Sequence, residues 1–447
     1  MERIYKAISI LLFSIFGLSC KEYLDVKPDK KLVVVSTVED LQALLDNFGV
    51  MNYSDPSVAE ICADNYFLTD AVFQARKETE RNIYVWGVDN VFDERNNAWT
   101  DVYKQVYIAN LVIEQATAME TSNPNATAVK AQALFFRAKA FLNVASVWAP
   151  AYSEPTANET LGIPLRLGTD FNVKTTRASL KETYRQITDD LLKATRSLPV
   201  KQVHLMRPNK AAAFGMLARS FLMMQNYDQA YLYADSCLKL NSELIDYNTL
   251  NVNDNFPFAA FNKEVIHENR YGGSGHLAQT RALINPELYA LYEPNDLRKT
   301  LFFKSSGTNF IFKGYYSGSG NFFNGLATDE LLLIRAESAA RIAKLNNALD
   351  DLNYLRRNRF KKANYIDLQM MSAANLLIKI KEERRRELPF RGLRWMDIKR
   401  WNKEGDNIVL SRTVNNTNHV LLPNSLRYAI QIPADIIELS GIAQNPR

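Results

Sequence analysis

The amino-acid sequence predicts a mainly α fold of tetratricopeptide-like helical repeats carrying long irregular insertion loops. Three observations predict it. Gly and Pro number 17 and 15 among 447 residues, too few for the many tight turns of an all-β chain. Apolar residues recur at three- and four-residue steps through several long segments, the period of one helix face. Alanines fall where two such faces would cross, and small side chains let paired helices approach closely.

Taken in order, residues 1–19 have the layout of a secretory signal. Arg3 and Lys6 make a positive start, Ala7–Leu18 is an apolar run too short to cross a bilayer, and Ser19 is small. Cys20 stands where a bacterial lipoprotein signal peptidase would cut, although the usual Leu three places earlier is here Gly17, with Leu18 one place late. An acylated Cys20 would anchor the chain to a membrane without spanning it. Residues 21–35 read as an extended tether, and Ser36-Thr37-Val38-Glu39 as a capping box opening a helix over 39–47 with Leu41, Leu44 and Leu45 on one face.

A helical hairpin is expected over 93–148, its two members separated by Ser122-Asn123-Pro124. Trp99, Tyr103, Val106, Tyr107 and Asn110 mark the first helix; Ala133, Phe136, Ala140, Phe141 and Val144 mark the second. Further pairs are expected over 179–240, opened by the capping box Ser179-Leu180-Lys181-Glu182, and over 328–358, with Leu332, Ala336, Ala339, Ala348, Leu349 and Leu352 at the crossings. Periodicity fades over 52–86 and 242–327, which are rich in aromatic residues and, in the second case, glycine. Long irregular segments on a rigid helical frame are where binding usually resides.

Composition excludes several function classes. Lys and Arg total 54 against 49 Asp and Glu, a net charge of +5 too balanced to imply a nucleic-acid partner without a localised patch. The Lys381–Glu387 run alternates bases with acids and reads as an ion-pair helix at or partly below the surface. Three cysteines cannot make a disulfide framework. With Cys20 set aside, Cys62 and Cys237 read as isolated buried thiols. The nucleotide-binding, zinc-protease and Cys-x-x-Cys patterns are missing, and Gly272-Gly273-Ser274-Gly275-His276 lacks the second glycine of a nucleophile elbow. The four histidines are scattered and read as solvated loop residues, and Asn251, Asn253 and Asn255 lack the carboxylates of a calcium loop. No catalytic residue, metal site or cofactor is therefore assigned.

The segment Glu382-Glu383-Arg384-Arg385-Arg386-Glu387-Leu388-Pro389-Phe390-Arg391-Gly392-Leu393-Arg394-Trp395-Met396-Asp397-Ile398-Lys399-Arg400-Trp401 closely resembles the C-terminal signature of SusD/RagB nutrient-uptake lipoproteins, with Pro389 and Arg391 as departures. Leu331–Glu337 with Ala348, Leu352, Asn353 and Arg356 is similar to that family's last helical pair, Cys20–Pro28 to its lipidated start, and Trp99, Tyr103 and Asn110 to its first helix. The resemblance covers the chain from residue 20 to 447 as one SusD-like domain. It implies an acyl anchor on Cys20 at the outer membrane facing the exterior. It also implies a SusC-like TonB-dependent transporter as partner, and a glycan, oligosaccharide or peptide as ligand. Signature residues Trp395, Trp401, Arg384, Arg394 and Glu387 read as structural, locking the final helix to the repeats. For the ligand the irregular segments offer Asp64, Asn65, Tyr66 and Trp86, then Asn269, Arg270, Tyr271, Tyr315 and Tyr316. Aromatic faces stack on sugar rings while amides, carboxylates and guanidinium groups hydrogen-bond hydroxyls.

Overall fold

Capping sets where the helices begin. A computed structural model describes residues 35–447 apart from 94, 96 and 274; the leader, Cys20, the tether to residue 34 and the serine of the glycine-rich elbow lie outside the described residues. The cap of helix α1 (Val38–Leu45) lies one residue later than the sequence suggests: it is Thr37, and Asp40 rather than Glu39 closes the box on the Thr37 and Ser36 amides. Asn97 caps α2 (Ala98–Met119) by accepting from the Trp99 and Thr100 amides. Pro124 precedes α3 (Asn125–Trp148), where a missing N–H costs nothing. Ser179 and Glu182 form the expected box at the start of α4 (Leu180–Ser197). Asn209 caps α5 (Lys210–Met223) and Asn226 caps α6 (Tyr227–Leu238). A further pair follows, α7 (Thr328–Arg341) with α8 (Leu345–Arg357), then α9 (Ala373–Glu387), which packs on both, and α10 (Arg394–Lys403). A last helix, α11 (Ala434–Ser440), ends at Gly441, whose φ of 67° is the left-handed closing conformation that glycine takes without strain.

Helices α2 and α3, α5 and α6, and α7 and α8 pack as neighbours, and the fold is mainly α with tetratricopeptide-like pairing. Helix α3 is buried around nearly its whole circumference from Ala131 to Trp148, so it is the axis on which α2 and α4 pack. Strands are short and antiparallel. The largest sheet orders Tyr66–Phe67, Leu283–Ile284, Asn309–Phe312 and Phe303–Ser306, joining the two irregular segments. No helix among the described residues is long and apolar enough to cross a membrane. Cys62 and Cys237 are both free and buried; burial pushes the Cys62 thiol up to about 12.

The Lys381–Glu387 run lies deeper than the sequence suggests, because its inward charges meet opposite charges from elsewhere in the chain. Glu383 accepts from Arg356 and Arg386 and lies 2.6 Å from Arg298. Glu387 accepts from Arg298 at 2.6 Å and from Arg359 at 2.7 Å. Arg359 also spans both Glu264 oxygens at 2.9 Å. Glu264, Asp329 and Glu387 converge within 4.8 Å of one another, but Arg359, Arg298 and Arg391 neutralise them.

The signature helix is anchored differently from the sequence reading. Arg400, on Glu337 at 2.5 and 2.7 Å, and Trp401, on the same carboxylate, tie it to α7, and Lys399 donates to the Ser146 carbonyl of α3. Arg384 turns back on Asp397, and Arg394 reaches Asp64 in the first irregular segment. Trp395 is fully buried against Tyr428. The histidine reading also changes: His267 and His276 are buried, His267 edge-on to Phe135 and Phe136, His276 stacked on Tyr84. Burial holds them neutral, pushing His267 down to about 3 and His276 down to about 4.

Removing one member of a buried ion pair strands the other, at a cost of about 3–5 kcal/mol. Arg359→Leu should lower the unfolding free energy by that amount in urea titration, whereas Lys77→Ala, which breaks the exposed pair with Asp93, should change it by less than about 1 kcal/mol. Equal effects would show that the buried network is no stronger than a surface pair.

Candidate functional site

The two irregular segments do not present their candidate side chains to solvent. Trp86 is 2% exposed, donates Nε1–H to the Cys62 carbonyl and lies under the Arg412 guanidinium, on a backbone φ of 56°. Tyr66, Asn65, Asn269, Tyr271, Tyr315 and Tyr316 are buried as well. Tyr66 donates to the Ile61 carbonyl and Tyr271 to the Phe390 carbonyl, stacked on Phe322 at 5.1 Å. Tyr316 shares a hydrogen bond with Tyr247 and reaches Glu264, and Tyr315 packs among Phe312 and Phe322. Asn269 completes a network with Lys139, Asp55 and Asn324. Half-buried Arg270 bonds Glu268 at 2.5 Å and covers the Tyr53 ring.

Asp64 takes Arg385 and Arg394, each at 2.8–2.9 Å. Burial alone would push its carboxyl up, but the Arg394 and Arg385 charges more than offset this and hold it well below the usual range. Asn65 donates to Glu60, which also accepts the Gly392 amide. Burial dominates there and pushes the Glu60 carboxyl up to about 7 despite those donors. These residues hold the irregular segments to the signature. Most of their polar atoms are spent on internal partners, and their rings pack against other aromatic side chains or a guanidinium.

A groove of about 450 Å³, within the range of small-ligand sites, lies elsewhere. Three elements build it. Trp99 and Tyr103 of α2 form the floor, stacked at 4.9 Å, with Trp99 braced edge-on by Trp148. One wall is the connection between Leu161–Pro164 and Arg177–Ser179, which carries Arg166, Phe171, Asn172, Lys174 and Thr175. The other wall is α11 and the residues after it, with Ile436, Leu439 and Ser440.

The connection is strapped in place. Tyr103 donates to the Pro164 carbonyl at 2.7 Å, and Asn110 to the Arg166 and Gly168 carbonyls. Glu114 accepts the Thr169 amide and hydroxyl. Arg166 clasps the loop by donating to the Asp170 and Val173 carbonyls and the Thr175 hydroxyl. At Gly162 a Cβ would lie 2.8 Å from the Ser179 carbonyl, so glycine lets the hairpin close on α4. Phe171 stands on this frame 79% exposed, its ring stacked 5.2 Å from Tyr107 at an interplanar angle of 24°. An exposed ring held nearly parallel to a second ring is a ready platform for an apolar or sugar face.

Comparison with known proteins accords with the fold. A family model described as "Starch-binding associating with outer membrane" matches residues 22–222, and one described as "SusD family" matches residues 328–428. The chain belongs to the SusD/RagB family. No curated protein sequence matches it. A SusD superfamily protein from Bacteroides thetaiotaomicron superposes with a TM-score of 0.76 at 20% identity, over 92% of this chain and 100% of that one. A SusD-like carbohydrate binding protein from Bacteroides vulgatus gives 0.66 at 19%, over 90% and 96%. A SusD superfamily protein from Bacteroides fragilis gives 0.71 at 19%, over 89% and 96%.

Within this SusD/RagB chain the sequence reading passes over Phe171, Arg166 and Lys174. The available signal is a lone aromatic in the polar run Gly168-Thr169-Asp170-Phe171-Asn172-Val173-Lys174, too short to stand out beside the two aromatic-rich segments. Two measurements separate the roles. Trp86→Ala should cost about 3–5 kcal/mol of stability as a core truncation, while Phe171→Ala should leave the melting temperature unchanged; a stable Trp86 variant would return that residue to the list of surface candidates. Because the folded Glu60 carboxyl near 7 exceeds its ordinary value, its stabilising effect is complete below about pH 4.5 and lost as pH rises through 7. Wild type should therefore lose stability relative to Glu60→Gln by up to about 1.4 kcal/mol per pH unit between pH 5 and 7. Parallel stability profiles would remove that assignment.

Proposed function

We propose that this protein is a cell-surface lipoprotein that captures a nutrient oligosaccharide in the Phe171 groove and hands it to a SusC-like TonB-dependent transporter in the outer membrane. Family membership supports the binding class, and one of the similar solved structures is itself described as carbohydrate binding. Acylation at Cys20 would keep the protein at the membrane, facing outward. The observation that carries the choice of site is the exposed, stacked Phe171–Tyr107 platform beside the groove. Sugar C–H faces bury well on such rings, and Asn172, Thr175 and Ser440 offer partners for hydroxyls. The role in this reading is binding without cleavage, which the starch-binding description of the matching family model supports.

Isothermal calorimetry of the protein against a glycan panel, with chromatography of the recovered sugars, tests this. Phe171→Ala should weaken the bound glycan by about 1–2 kcal/mol, five- to thirty-fold in Kd, and the sugar should be recovered intact. Undiminished binding in that variant would move the site out of the groove, and shortened products would replace capture with hydrolysis.

A further inference from the structure

Groove electrostatics point to a narrower ligand class. The only charged residues lining the groove are Arg166 and Lys174, and neither makes a salt bridge among the described residues. Arg166 is half-buried, and its partners are two carbonyls and a hydroxyl, none of which cancels its charge. Three of its five N–H donors are taken, which leaves two for a ligand. Lys174 is exposed and donates to no protein group. Behind them, Arg177 gives its donors to the Leu161, Gly162 and Ala443 carbonyls, so a third cation stands beside the floor without a counter-ion.

None of the acids of the same elements lines the groove. Glu114 is held by Thr169, Asp170 by Asn172, and Asp435 by the Arg95 amide; Asp101 and Glu438 lie outside the groove. A neutral sugar brings a donor with every hydroxyl and is best met by carboxylate acceptors, which this lining lacks. A charged sugar brings acceptors, and a guanidinium fork matches a carboxylate or sulfate. Cations inside a concave, partly apolar wall also concentrate field on an entering anion.

Resting on the capture reading above, we propose that the groove selects acidic oligosaccharides, with Arg166 and Lys174 pairing to the carboxylate or sulfate while Phe171 stacks on the ring. The test uses the full chain and matched probes: oligogalacturonate, oligoalginate and chondroitin sulfate fragments, each beside its methyl-esterified, carboxyl-reduced or desulfated form, plus neutral malto- and xylo-oligosaccharides. At least one acidic probe should bind about tenfold or more tightly than its neutralised form. Raising salt from about 20 to about 300 mM should erode only that preference. Lys174→Gln, at an exposed and unpartnered position, should reduce the preference about threefold or more without shifting the melting temperature, and Arg166→Lys should retain charge but lose the fork, reducing it further. Binding of neutral or neutralised probes with equal or better affinity, lost in Phe171→Ala, would overturn the charge selection and leave the capture reading intact. Acidic binding indifferent to Lys174→Gln and Phe171→Ala would overturn the groove as its site, and no binding by any probe would overturn both.

Discussion

The rest of the structure depends on a requirement for charge balance in the interior. Arg298, Arg359, Arg384 and Arg400 are among the largest fully buried side chains, and taking a guanidinium out of water costs several kcal/mol unless carboxylates receive it. Several of those carboxylates come from far along the chain: Glu387 of α9 receives Arg298 and Arg359, Glu264 from the second irregular segment receives Arg359, and Glu337 of α7 receives Arg400; Arg394 draws Asp64 from the first irregular segment in the same way. Pairing these charges ties the pieces to one another. The signature segment is thus less a helix docked on repeats than the shared partner that holds two loop regions against a helical frame.

That constraint explains why much of the fold, but not the site, was legible in the sequence. Helices are local: the Ser179–Glu182 capping box and the apolar stripe of α4 sit within a few residues of one another, and no distant contact is needed to read them. Whether a loop aromatic faces water is not local. Tyr271 and Trp86 look like solvent-facing binders because nothing nearby in sequence covers them; the cover comes from Phe322 and Phe390 in one case and from Arg412 in the other. Asp64 and Asn269 likewise have the chemistry of sugar ligands but face Arg394 and Lys139. The shift of the first cap from Ser36 to Thr37 shows the limit of local reading too, since Asp40 can close a box that Glu39 would close one residue earlier.

The groove forms where this internal accounting ends. The connection between Leu161–Pro164 and Arg177–Ser179 lies outside the ion-pair network and is secured by neutral hydrogen bonds from Tyr103 and Asn110 and by Arg166. It can therefore expose Phe171 without unsettling the core, and its sequence can vary without disturbing a single buried charge. A frame whose stability resides in one region and whose ligand contacts reside in another separates folding from recognition.

Arg166 connects the two. Its role as a clasp needs a planar head with several fixed donors, because the Asp170 and Val173 carbonyls must be reached from one side chain. Lysine could supply the charge but not that geometry. Since carbonyl partners satisfy donors without neutralising the cation, the loop is rigid and still positively charged, and the preorganised shape that lowers the entropic cost of binding comes together with the field that favours an anion. A carboxylate, which only accepts, could not hold those carbonyls and would set a negative charge in the groove instead.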